Sequence, residues 1–154
     1  MEIAVGFFKV NWWVMRCIEF FSRSKGYDHC SLIYREPGKP AYILHINKKT
    51  TARFVRVAAL FKVYTPVCTV NLGRLPLTIE QLQDSIARPT KFQLWKTVFW
   101  FFISRWFSDW KPYGGCALIT SKILQEAGLE IKTCVKPIDL LKELEDGNYI
   151  ISRT

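Results

Sequence analysis

Lys111-Pro-Tyr-Gly-Gly-Cys116-Ala-Leu-Ile-Thr-Ser-Lys-Ile-Leu-Gln-Glu-Ala-Gly128 is the stretch whose reading decides the fold. Pro112, Gly114 and Gly115 hold off a helix before Cys116, while Leu118, Ile119, Ile123, Leu124 and Ala127 recur at helical spacing. Gly128 then stands where a left-handed C-terminal cap belongs. The spacing predicts a buried amphipathic helix with Cys116 in its first turn. Unpaired backbone N–H groups and the positive end of the helix dipole meet there, and both favour a thiolate over a thiol, whose free pKa is about 8.5. Two readings of Cys116 stand on this stretch alone: an activated nucleophile, or a small apolar residue filling space beside a tight turn.

A thiolate nucleophile needs a base within hydrogen-bond reach and a third group that orients the base. The chain holds two histidines, His29 and His45. Residues 27–34 alternate as a strand, with Tyr27, His29, Ser31 and Ile33 on one face and Asp28, Cys30, Leu32 and Tyr34 on the other. Glu36-Pro-Gly-Lys39 is a turn, and residues 41–47 read as a second strand, so both histidines fall on one hairpin. A simple four-residue turn pairing Glu36 with Lys39 sets His29 across from position 46 and points His45 to the opposite face. A three-residue loop, or one bulge beside Gly38, sets His29 directly opposite His45. The chemistry favours the bulged arrangement, with Cys116 as nucleophile, His29 as base and His45 orienting it. The backbone N–H of Cys116 would hold the oxyanion, with Tyr113 or Tyr27 as a second donor. A zinc site from His29, Cys30, His45 and Cys116 is disfavoured, because His29 and Cys30 point to opposite faces of a strand and no usual ligand spacing is present.

Elsewhere, residues 3–10 read as a short strand, and Asn11 can cap a helix running through Phe21. Residues 53–59 and 60–72 are rich in branched and aromatic residues and read as the rest of a small antiparallel sheet, with Pro66 marking an edge or a break. Thr78-Ile-Glu-Gln81 and Thr90-Lys-Phe-Gln93 both match the capping box, so helices are expected at each. The second carries Phe92, Trp95, Phe99, Phe102 and Trp106 at three- and four-residue spacing, while Trp100, Phe101 and Phe107 widen the stripe. Such a helix, residues 91–110, is either sunk in the core or a contact for a membrane surface, a protein partner or another copy, flanked by Lys91, Lys96, Arg105 and Lys111. Residues 130–135 read as a further strand. Pro137 opens a helix to about Leu144 with Ile138, Leu141 and Leu144 inward and Gly147 ending it, and residues 149–152 close the sheet.

Two of these motifs together resemble a known superfamily. Arg23-Ser-Lys-Gly-Tyr-x-His29-x-x-Leu-x-Tyr34, followed much later by Tyr113-x-x-Cys116, then Leu124 and Gly128, is similar to the circularly permuted NlpC-type cysteine peptidases. These have a papain-like fold and include relatives of lecithin retinol acyltransferase and short bacteriophage versions. The resemblance spans most of residues 1–144. It implies an α+β fold in which a small antiparallel sheet packs against a helix with the cysteine at its N-terminus. It also implies a thiol hydrolase, an amidase, peptidase or acyl hydrolase, that requires no cofactor. Cys116 matches the nucleophile, His29 the base and His45 the third polar residue. Peptide amides of the bacterial wall are the first substrate implied, with lipid esters or isopeptide links second. The alternative on the same fold is a non-catalytic virion-structural or binding protein.

Composition sets bounds on both readings. A chain of 154 residues with 49% hydrophobic and 23% charged residues is expected to be one globular domain with a core that needs no disulfides. A net charge of +9 attracts polyanions in general. The basic residues are scattered and no nucleic-acid reading motif is present, so nucleic acid is not the expected partner. Five cysteines, at positions 17, 30, 68, 116 and 134, form no paired framework and fit free thiols in a reducing compartment. Residues 1–8 lack a basic segment leading into a long apolar core, so no secretory signal is expected and synthesis is expected to be cytoplasmic, with virion association if the chain is phage-encoded. The longest strictly apolar run, residues 98–103, is far short of the roughly 18 residues of a membrane span.

Overall fold

A computed structural model of the protein describes residues 2–10, 26–46, 52–61, 64–75, 81, 116–134 and 136–153. The helices expected over 11–21 and 90–107, and Tyr113 with the glycines ahead of Cys116, lie outside the described residues. Among those described, β1 (Glu2–Val10), β2 (His29–Arg35), β3 (Tyr42–Ile46), β4 (Ala52–Arg56), β5 (Tyr64–Gly73) and β6 (Ile150–Arg153) form one antiparallel sheet. The order across it is β4-β3-β2-β1-β5-β6, which puts β1 and β2 at the centre. Helices α1 (Val57–Leu60), α2 (Cys116–Glu126) and α3 (Pro137–Asp146) complete a mixed α+β architecture.

Alternation along the central strands divides their apolar residues between two faces. Ile3, Val5 and Phe7 of β1, Cys30 and Leu32 of β2, Leu44 of β3, and Cys68, Val70 and Leu72 of β5 join the inner residues of α2 and α3 in the main core. Leu124, Leu140 and Leu144 are fully buried there. Phe8 and Ile43 instead pack with Leu60 of α1 on the second face, alongside Ile33, Val55, Val57 and Tyr64. Gly6 is required on that face, since a Cβ there would lie 2.6 Å from the Phe8 ring and 2.8 Å from Ile33. The bare backbone lets Phe8 fold back over its own strand.

Tyr64 reaches the second face through a bulge. Phe7 pairs with Cys68 but Phe8 pairs with Pro66, leaving Val67 as an extra residue in β5. That shift by one residue reverses the alternation, so Tyr64 emerges beside Phe8 although Cys68, four residues on, faces the main core. Pro66 is accommodated because β6 pairs only with Cys68, Thr69, Val70 and Asn71 of β5, which leaves the outer side of Pro66 clear of that ladder.

The hairpin of β2 and β3 departs from the expected register. Glu36-Pro37-Gly38-Lys39 closes as a turn with the Lys39 N–H donating to Glu36 O at 3.1 Å and Gly38 at φ 75°, as a type II turn requires. Pro40 follows and has no N–H to give a ladder, so backbone pairing runs from Tyr34 with Tyr42 to Ile33 with Ile43. This register is two positions out of step with a pairing of His29 and His45. The loop is longer than the three- or four-residue connections considered from sequence, and no bulge beside Gly38 brings the two histidines opposite each other. Beyond Ile43, Ser31 Oγ donates to the Leu44 carbonyl and takes the place of a ladder bond.

α2 starts at Cys116 and ends as its sequence requires. The Gly128 N–H bonds Gln125 O at 2.9 Å, the Leu129 N–H bonds Leu124 O at 3.0 Å, and Gly128 takes φ 89°. This is a Schellman cap, and buried Leu129 supplies its hydrophobic contact. α3 ends at Gly147 as expected, with the Gly147 N–H on Glu143 O at 3.1 Å, and Asn148 beyond it takes the left-handed position at φ 59°, with its N–H on Glu145 O. The segment 130–134 forms no strand. Side chains of both helices bond its backbone instead, with Gln125 Nε2 donating to Ile131 O at 2.7 Å, the Lys132 N–H donating to Glu143 Oε2 at 3.3 Å and the Cys134 N–H donating to Ser121 Oγ at 3.1 Å. Ser121 is fully buried. Ser121→Ala therefore strands the Cys134 N–H in the core, and urea denaturation is expected to show a loss of about 1–3 kcal/mol.

Candidate active site

The first turn of α2 lies over β2, and this brings residues far apart in the chain to one sulfur. Cys116 is half-buried, whereas Cys30, Cys68 and Cys134 are buried. The Cys30 side chain donates a hydrogen bond to the Cys116 sulfur, the His29 imidazole contributes a hydrogen bond and charge stabilisation, and the Cys30 backbone N–H donates as well. Together these hold the Cys116 thiol well below its ordinary pKa, against an opposing contribution from burial. The same contact acts in reverse on Cys30. Burial and its hydrogen bond to Cys116 push the Cys30 thiol well above the ordinary value, despite a hydrogen bond with Thr120. The charge therefore belongs on Cys116, which has the imidazole and the helix start; Cys30 is 1% exposed.

Aromatic rings fix the imidazole. His29 lies against Tyr64 with ring centroids 5.0 Å apart and planes at 33°, and against Phe8 at 6.3 Å and 40°. Phe8 and Tyr64 in turn meet edge to face at 6.2 Å. His29 Nε2 is buried and has no hydrogen-bond partner among the described residues. Tyr64 is also close enough to the sulfur to sense its charge: burial first, then the Cys116 thiolate, raises the phenol pKa.

Of the site residues expected from sequence, Cys116 and His29 come together. His45 lies in β3 with its backbone paired to Arg53 of β4, out of register with His29, and its side chain lies outside the described residues. Tyr27 is half-buried and packs edge-on against Phe7 at 6.3 Å, as part of the core. Tyr113 lies outside the described residues. Among the described residues, no group of three or more His, Cys, Asp or Glu is placed to hold a metal ion, and no helix is long and apolar enough to cross a membrane.

Sequence reasoning missed Cys30, Tyr64 and Phe8. Cys30 follows His29 directly, and alternation assigned it to the other face. Both reach Cys116 because the helix start sits over the first residues of β2, where the strand begins. Tyr64 carried no local signal, since the bulge that turns it toward His29 depends on pairing with β1. No protein-family model, curated protein or solved structure matches the chain.

Proposed function

We propose that this protein is a thiol-dependent acyl-transfer enzyme, acting as an amidase, peptidase or acyl hydrolase on a permuted papain-like arrangement. The observation that carries the reading is Cys116 at the start of a helix, with its thiolate favoured by the neighbouring Cys30 thiol and by the charge and hydrogen bond of His29. In this reading the thiolate attacks a substrate carbonyl, the Cys116 N–H at the helix start helps hold the oxyanion, and the His29 imidazolium gives its proton to the leaving amine or alcohol. Neutral His29 then takes a proton from the water or other acceptor that releases the acyl group.

Peptide amides of the bacterial wall are the first substrate class, on the strength of the resemblance of residues 23–34 and 113–128 to permuted NlpC-type peptidases. Lipid esters and isopeptide links come second. A non-catalytic binding or virion-structural protein on the same fold is the alternative, and a stable oligomer in native mass measurement with Cys116 sealed from solvent would favour it. Incubating the protein with activated ester and amide substrates of each class, quenching in acid and measuring intact mass tests the proposal. An acyl adduct that maps to Cys116 is expected. An adduct spread over several cysteines, or none with any class, would contradict it.

A further inference from the structure

We propose that Tyr64 is a positioning residue of the site, its ring holding the His29 imidazole in the plane in which it serves Cys116. This deepens the hydrolase reading and rests on it for the catalytic consequence, though not for the ring contact itself. In thiol and serine hydrolases a polar third group ordinarily orients the base. Among the described residues, His29 Nε2 is buried and has no hydrogen-bond partner. The imidazole is instead held between two aromatic rings, Tyr64 with centroids 5.0 Å apart and planes at 33°, and Phe8 at 6.3 Å and 40°. The χ2 torsion of histidine is broad by itself, so a ring packed on its face is what selects one plane.

The sheet explains why Tyr64 is the residue that arrives there. His29 opens β2 and Tyr64 opens β5, and β1 runs between the two strands. Neighbouring strands lie about 4.8 Å apart, so these two backbones are separated by about 10 Å and only a long side chain meets the imidazole across β1. Phe8 is paired directly opposite His29. It folds back over Gly6, whose missing Cβ makes room for its ring, and this leaves the crossing to Tyr64. Phe8 then closes the third side of the cluster, edge to face with Tyr64 at 6.2 Å. Parity completes the specification. The extra residue at Val67 turns Tyr64 onto the second face of the sheet, and a regular β5 would aim the same side chain at the main core. The contact is made by the ring, so the role requires an aromatic face at position 64 and not its hydroxyl.

Two measurements on the full-length protein test this. The chain has two histidines, so the imidazole C–H protons of His29 can be followed by NMR and assigned by their loss in His29→Ala. In the unmodified protein the ring current of Tyr64 should move them upfield of free histidine. That shift should persist in Tyr64→Phe and largely vanish in Tyr64→Leu. On a substrate that forms the acyl adduct, Tyr64→Phe should keep kcat within about 2-fold, while folded Tyr64→Leu should lose about 10- to 100-fold in kcat with KM little changed. An unshifted His29 signal in the unmodified protein overturns the proposal, as does a loss in Tyr64→Phe equal to that in Tyr64→Leu. The NMR signal is read without substrate, which separates the two readings. A Tyr64-dependent shift in a protein that forms no acyl adduct would sink the hydrolase reading and leave the ring contact standing. An acyl adduct with kcat unchanged in Tyr64→Leu would sink this proposal alone.

Discussion

Cys116→Ala is expected to abolish turnover, with a loss of about 10⁴-fold or more on any substrate that forms the acyl adduct, while leaving the fold intact. The size follows from the roles. Without the sulfur there is nothing for the imidazole to ionise, and the remaining groups at the helix start can hold an oxyanion but cannot form one. The structural cost is small. Alanine is a good helix former at that position, and the Cys30 thiol loses an acceptor but keeps Thr120 as a neighbour, so a change of about 1 kcal/mol in unfolding free energy is expected. Paired measurement of activity and urea denaturation checks this. Retained turnover, or loss of turnover only in step with loss of fold, would remove Cys116 from the chemistry.

His29→Ala is expected to separate two effects that the intact site combines. Removing the imidazole takes away the favourable charge and one hydrogen bond from the Cys116 thiolate, so the thiol pKa rises toward the free value of about 8.5. At neutral pH the thiolate fraction falls, but the more basic thiolate is also more nucleophilic, which recovers part of the loss. Alkylation is therefore expected to slow only modestly. Turnover should fall much further, by about 10²–10⁴-fold, because the leaving group also loses its proton donor. Iodoacetamide kinetics and acyl-substrate turnover on the same variant check the split. Equal losses in both would mean that His29 acts only on the pKa of Cys116. No loss in either would mean that the contact is structural.

Much of the architecture could be read locally. The helix at Cys116 and its Gly128 cap follow from a run of apolar spacing and one glycine, β1 from a short apolar run and β2 from alternation. What could not be read depends on pairing between distant strands. Pro40 delays the β2–β3 ladder and shifts the register of His45, and an extra residue at Val67 turns Tyr64 from the main core to the imidazole. Cys30 was assigned by strand parity to the face away from His29, and only the position of α2 over the strand start lets one sulfur meet both. The stretch 130–134 has the composition of a strand, yet Gln125 and Ser121 claim its backbone first. Asn148 takes the left-handed position because it lies one residue beyond Gly147, where the last turn of α3 closes.

The most direct test of the central claim is the pH dependence of Cys116 alkylation in the native protein, followed residue by residue by mass spectrometry. The Cys116 thiolate is favoured in the fold, so its rate should be on a plateau at alkaline pH. It should fall only as the pH drops through a midpoint below about 8.5. Cys30, Cys68 and Cys134, whose thiols burial pushes up, should stay unreactive across that range. A Cys116 midpoint at or above that of a free thiol, or a rate no faster than that of the buried cysteines, would contradict the account.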